Sequence, residues 1–294
     1  MLKGRIRATA CVLCGVAELL LGSSPARAQD ADDEKKTDTQ FIFGFTSGAE
    51  VGRVGDKEVE NETFANFGVR EGSYRTLSND LRIEFVPVSN LRVELGLPVS
   101  YYDIHDVDGL DNRRRSGFNG VSSEIRWRLL GGGDESFQLT ISAEPQWNRF
   151  DENSGRRADG YSCDFAIAMD KAVIPDNLFA AFNVVYGAQA VHDPVLGVQR
   201  ESTLGLLGST AWQLRPGLFV GLEARYLQDY AGFSLHQRTG HATYVGPTMY
   251  FKLPGEVAIS GAWGSKVDGR GTTSSDDSPV FAHNQATMRL ELDF

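Results

Sequence analysis

The last eight residues alternate without a break: Met288, Leu290, Leu292 and Phe294 are apolar, while Thr287, Arg289, Glu291 and Asp293 are polar or charged. Side chains of an extended strand point alternately to opposite faces, so this run has one greasy and one charged side. Exposed in water, such a strand would pair with other chains. A bilayer removes the conflict: in lipid only helices and closed barrels satisfy every backbone group, and a closing strand turns its greasy side outward. The first architecture to test against the rest of the chain is therefore a membrane barrel.

The start of the chain agrees. Lys3, Arg5 and Arg7 precede the apolar stretch Ala8 to Gly22, and Pro25-Ala26-Arg27-Ala28 offers a small-residue cleavage site. This predicts a signal peptide over 1–28. Glu18 interrupts the apolar stretch, and Leu13 before Cys14 is too large for a lipid-attachment motif. Residues 29–39, QDADDEKKTDT, are expected to form a charged periplasmic leader, with the barrel spanning 40–294. The alternating run that ends at Phe294 resembles the C-terminal signature of bacterial outer-membrane β-barrels. That resemblance implies recognition of the last strand by the barrel-assembly machinery.

Composition narrows the partners. Lys and Arg number 29 against 39 Asp and Glu, and without residues 1–28 the balance is 25 against 38. No basic patch for nucleic acid survives in it. Cys163 is then the one cysteine left, so no internal disulfide forms.

Turns divide the chain. Short ones fall at 87–90, 131–135, 174–177, 215–217 and 254–255, each with Gly, Pro, Asn or Asp where a hairpin needs special dihedrals. Long polar segments run over 46–74, 105–117, 151–160, 192–200, 231–240 and 268–283. Five short turns interleaved with six long loops predict an all-β, up-and-down antiparallel transmembrane barrel of about twelve strands, both termini periplasmic on the short-turn side. Segment 46–74 has room for an extra hairpin, since Thr63, Ala65, Phe67 and Val69 alternate weakly with Phe64, Asn66 and Gly68.

A soluble sandwich also alternates, and aromatic placement separates the two. Trp127 and Trp212 lie by short turns, Trp147 and Trp263 by long loops. Tyr101, Phe150, Tyr161, Tyr186, Tyr226 and Tyr244 join the loop-side level; Phe85, Phe137, Phe179, Phe219, Phe251 and Phe294 join the turn side. Two aromatic levels match interfacial girdles, whereas a sandwich buries Trp in mid-strand. The segments 120–130, 204–226 and 230–250 (the last DYAGFSLHQRTGHATYVGPTMY with its preceding residue) resemble a family of uncharacterised outer-membrane proteins, itself similar to barrels associated with phenol meta-pathway degradation and labelled transporters. The resemblance implies an outer-membrane passive channel or transporter for a small organic solute in a Gram-negative cell, and carries no functional residues with it.

Strand phase names the candidate pore-lining residues: Arg82, Glu84, Arg92, Glu94, Glu124, Arg126, Arg128, Glu144, Glu223, Arg225, Arg289 and Glu291. Lys252, Asp164, Asp170 and Asp293 share the inward phase, which gives seven cations against nine anions, close to balance. Arg82/Glu94 and Glu84/Arg92 are equidistant from Val88 and are expected directly cross-strand. The alternative to a channel is a closed structural or surface-binding barrel acting through acidic loops.

Other chemistries are weaker. All five histidines (105, 192, 236, 241, 283) fall in or beside loops, and solvation explains them better than metal binding. Asp106 to Asp111 lacks the glycine position and terminal Glu of a calcium loop. Asn153-Ser154-Gly155-Arg156 loosely echoes a run in a twelve-stranded outer-membrane phospholipase. Glu152 stands where that enzyme needs His, and a hydroxyl without a base is not activated. No enzymatic activity, cofactor or metal is expected.

Overall fold

The computed structural model describes residues 38–131, 137–193, 197–271 and 281–294. The signal peptide, nearly all of the leader, most of the turn at 131–135 and the centres of two loops lie outside them.

Thirteen strand segments form one closed sheet: β1 (Lys57–Phe67), β2 (Ser73–Val88), β3 (Leu91–His105), β4 (Arg113–Phe118), β5 (Gly120–Leu130), β6 (Phe137–Phe150), β7 (Arg157–Ile174), β8 (Leu178–Asp193), β9 (Gly197–Arg215), β10 (Leu218–Ala231), β11 (Arg238–Leu253), β12 (Val257–Gly271) and β13 (Asn284–Asp293). Each pairs antiparallel with its neighbour, and β1 pairs with β13 to close the wall. β4 and β5 both pair with β3 and are two halves of one spanning strand, so the barrel has twelve strands. The break is at Asn119. Its amide donates to Pro98 O (2.8 Å), and its side-chain oxygen accepts from Arg149 N (3.1 Å) and Phe150 N (2.8 Å), so the kink leaves no orphaned groups. Gly120 follows at φ +130°, and any side chain there would collide with Trp147 O.

The faces divide as alternation requires. Leu95, Leu222 and Met288 are 57%, 65% and 57% exposed, while Arg92, Glu94, Glu223 and Arg225 on the opposite phase are buried. An exterior of Leu, Ile, Val and Phe around an interior of Arg and Glu is the inverse of a water-soluble protein. Trp127, Trp212 and Trp263 also face out.

Three expectations change. The wall does not begin at residue 40. Its first strand is β1, inside the segment read as a long loop, and residues 39–51 turn into the lumen instead. One stretch leaves the wall and another enters it, so the count of twelve stands. Second, Phe150, Tyr244, Phe179 and Phe219 do not join the girdles; they are 7%, 0%, 5% and 2% exposed and point inward. Adjacent apolar pairs at strand ends, such as Leu178-Phe179 and Leu218-Phe219, leave the phase open, and an apolar partner inside the barrel decides it. Third, Arg82 sits opposite Gly96, and Glu84 opposite Glu94. Pro87 has no N–H to give the ladder, and a bulge between Phe85 and Val88 shifts the register. The ion pairs survive on the diagonal, at 3.5 Å for Arg82–Glu94 and 3.4 Å for Arg92–Glu84.

Candidate functional site: a filled and charged lumen

Residues 39–51 form a compact insert within the barrel. The chain doubles back, with Gly48 N donating to Gln40 O (3.2 Å), and Gly48 lies so close to Thr39 that a side chain has no room. Thr39, Ile42, Phe43, Thr46, Ala49 and Val51 are all at most 3% exposed. The insert has two unlike sides. Phe41, Ile42 and Phe43 pack with the inward Phe179, Ala181, Ala211, Phe219, Tyr250 and Ala258 of β8 to β12. Phe219 anchors that side by edge-to-face contacts to Phe179 (5.8 Å) and Tyr250 (5.9 Å).

Polar ties hold the rest. Gln40 Nε2 donates to Glu84 (2.9 Å), and Thr39 Oγ1 and Ala49 N both donate to Asp170 (2.6 Å each). Thr46 N donates to Glu223 (3.0 Å), and Asn183 exchanges two bonds with the Ser47 backbone (2.7 and 2.9 Å). Arg126 donates to Gly48 O (3.1 Å), and Arg128 pairs with Glu50 (3.3 Å) and donates to Ser89 O. Two rings of the insert sit under guanidinium groups, Phe45 under Arg225 at 3.4 Å and Phe41 under Arg289 at 5.0 Å.

All twelve candidate pore-lining residues project inward, and eight contact one another or β1 in a network. Arg82 reaches Asp80 (3.0 Å), Glu144 (3.3 Å), Glu94 (3.5 Å) and Glu62 (3.6 Å). Arg92 lies 2.6 Å from Glu94 and 3.6 Å from Glu124, which also holds Arg126 at 2.8 Å. Arg289 pairs with Glu60 (3.1 Å) and Glu62 (2.8 Å) of β1. Glu223 and Arg225 pair separately across the barrel at 3.3 Å. Sequence reasoning missed Glu58, Glu60 and Glu62 because β1 was taken for a loop, and missed Asp80 because the alternation in β2 was followed only from Leu81 onward. Glu58, Glu60 and Glu62 stand opposite Glu84, Arg82 and Asp80 and share their face. With them the lumen is acidic, thirteen carboxylates to seven cations by the same phase count, which corrects the near balance read from the sequence.

Between insert and wall lies a chamber of about 190 Å³, lined by Glu60, Glu62, Glu94, Glu124 and Glu144, by Arg82, Arg92, Arg126 and Arg289, and by Gln40, Phe41, Phe45 and Ser47 of the insert. Beyond it, toward the loops, a second apolar layer spans the interior: Tyr74, Tyr102, Ile104, Val107, Phe150 and Ala282. Loop 151–156 folds onto that layer. Arg115 donates to Gly155 O (3.1 Å), Tyr74 donates to Asn153 O (3.1 Å), and a side chain at Gly155 would strike the Tyr102 ring. Ser154 Oγ donates to Asp151 (2.5 Å) and is spent on the loop's own turn, with Glu152 beside it. Among the described residues no group of three His, Cys, Asp or Glu side chains is placed to hold a metal ion.

Residues 35–294 match a family of unknown function, DUF6662. The fold is similar to that of the COG4313 outer membrane channel from Pseudomonas putida F1, at 12% identity and a TM-score of 0.61, over 84% of this chain and 98% of that one. It is also similar to the beta domain of the Bordetella autotransporter BrkA, at 12% identity and a TM-score of 0.51, over 81% of this chain and 100% of that one. No curated protein matches the sequence. At these identities the likeness is one of fold: a transmembrane β-barrel of the outer-membrane type.

Proposed function

The chain belongs to the DUF6662 family, whose function is unknown, and from its own geometry we propose that it is a gated outer-membrane channel for small solutes, with residues 39–51 as the gate. One observation carries this reading. The lumen of a charged twelve-stranded barrel is filled by a segment whose polar ties run to wall side chains and leave the strand ladders intact. A filler of that kind leaves without unpairing any wall strand. Twelve strands lie between eight-stranded barrels, packed solid by side chains, and sixteen-stranded porins with open water channels, so an emptied lumen is wide enough for a path.

The reading includes residence in the outer membrane of a Gram-negative cell, both termini periplasmic on the short-turn side, lipid against the outer face, and assembly through the strand that ends at Phe294. It includes no catalytic role. Planar bilayers test it. The full-length protein is expected to show no conductance or rare brief openings, and a variant lacking 38–51 steady stepwise conductance. Silence in both, with a folded barrel, removes the channel and leaves a closed barrel acting through its acidic loops.

A further inference from the structure

Resting on the channel reading, we propose that the lumen takes small ammonium-bearing solutes, cationic or zwitterionic, and that the chamber beside the insert is their seat. The chamber holds the volume of about six water molecules, taking ~30 Å³ for each. That suits a solute of a few heavy atoms.

Its walls determine the charge. Five carboxylates and four guanidinium groups line it, and each guanidinium is already paired to carboxylate. A free anion has to break such a pair to find a cation. An ammonium group meets carboxylates that share their cations and have lone pairs to spare: Glu62 divides its charge between Arg82 and Arg289, and Glu124 between Arg92 and Arg126. Rings of Asp and Glu favour cations in channels by this long-range attraction. Nearer the loops Arg113 pairs with Asp111 (3.4 Å), Arg115 donates to Gly155 O (3.1 Å) and Lys266 donates to Phe281 O (2.8 Å), so the cations there are already engaged.

One buried donor beside the chamber bears on the other end of the solute. Arg92, 2% exposed, lines the chamber, and its Nη1 has no hydrogen-bond partner. A buried donor left unmade costs about 1–3 kcal/mol, and a carboxylate, carbonyl or hydroxyl oxygen of the solute would satisfy it once the Arg92 side chain turns toward the chamber. The recognised class therefore joins an ammonium group to an oxygen acceptor within a molecule small enough for the chamber.

Two measurements on the full chain and its insert-deleted form separate this inference from the channel reading. The first is titration calorimetry of the full-length protein in detergent micelles with β-alanine, ethanolamine, propionate and glycerol. Saturable binding of the two amines, at least tenfold tighter than propionate or glycerol, is expected. Binding of propionate as tight as that of β-alanine, or of none of the four, overturns the proposal whether or not the protein conducts. The second is the reversal potential of the insert-deleted form across a tenfold KCl gradient, where K+ is expected to pass at least fivefold more readily than Cl−. An anion preference, or none, overturns it. Glu144→Gln is expected to weaken amine binding at least fivefold. Should that variant misfold, Glu124→Gln serves in its place, and unchanged binding in a folded variant counts against the seat.

Discussion

The stretch QFIFGF at 40–45 is the more hydrophobic of two neighbouring segments, yet it avoids the lipid. The stretch KEVENETFANF at 57–67 carries three glutamates and two asparagines, yet it is part of the wall. The difference lies in how many sides each must satisfy. A wall strand needs one face fit for lipid, and β1 offers Val59, Asn61, Thr63, Ala65 and Phe67 outward while Glu58, Glu60 and Glu62 serve the lumen. Its outward amides are quenched locally: Asn61 and Asn79 exchange bonds at 3.0 and 3.1 Å, and Asn79 also donates to Thr63 (2.8 Å). The insert is enclosed by protein all round, so apolar groups suit it on adjacent positions as well as alternate ones. Hydrophobicity alone thus ranks the two segments the wrong way round for contact with lipid.

The sharpest way to break this contrast is to delete each segment. Without 57–67 the final strand keeps β12 but loses its closing partner, and two sheet edges stand open in lipid, so no heat-resistant folded band is expected on cold electrophoresis. Without 38–51 that band should persist. Next in size, Phe43→Ala empties a site that is 1% exposed and should loosen the seated insert by about 3–5 kcal/mol. Faster amide exchange confined to 39–51, with unchanged denaturant unfolding of the wall, is the expected signature. Loss of wall stability instead would mean that the insert is a structural core. Leu95→Arg or Leu222→Arg on the lipid face should cost about 2–4 kcal/mol in bilayer unfolding, and Ser142→Arg, facing the lumen, far less. Equal penalties would contradict the assigned faces. Arg225→Gln, which removes the cation above Phe45, should weaken the insert by about 0.5–2 kcal/mol, visible as more frequent openings in single-channel records. The smallest effect is expected at β1: Asn61→Val should move stability by less than about 1 kcal/mol, because the side chain gained suits lipid while Asn79 keeps Thr63.

Much of the wall was legible because lipid outside and charge inside impose strict alternation. β2, β3, β10 and β13 each show it, and described short turns carry residues their dihedrals require, such as Asp176 at φ +55° and Gly217 at φ +76°. Charged side chains between apolar neighbours, Arg92, Glu94 and Arg289 among them, had their facing fixed by the same rule. Two things escaped. Periodicity reports that two faces differ, but not which medium lies beyond each, so an apolar stretch lining the lumen and one lining the membrane look alike. And β1 hid its alternation because its outward positions are small or polar. A signal was present in Glu58, Glu60 and Glu62 at every second residue, the same spacing as the charged faces of β3 and β13.

Closure by β1 and β13 also sets the order in which the molecule is made. Glu58 pairs with Asp293, and the Phe294 amide donates to Lys57 O (3.1 Å), so the seam joins the two ends of the wall. Contacts so distant along the chain form late and slowly, because the entropy of closing the intervening loop has to be met first. The insert directly precedes β1 and has no enclosure until the seam shuts, so the filling of the lumen and the sealing of the wall are timed by the same event.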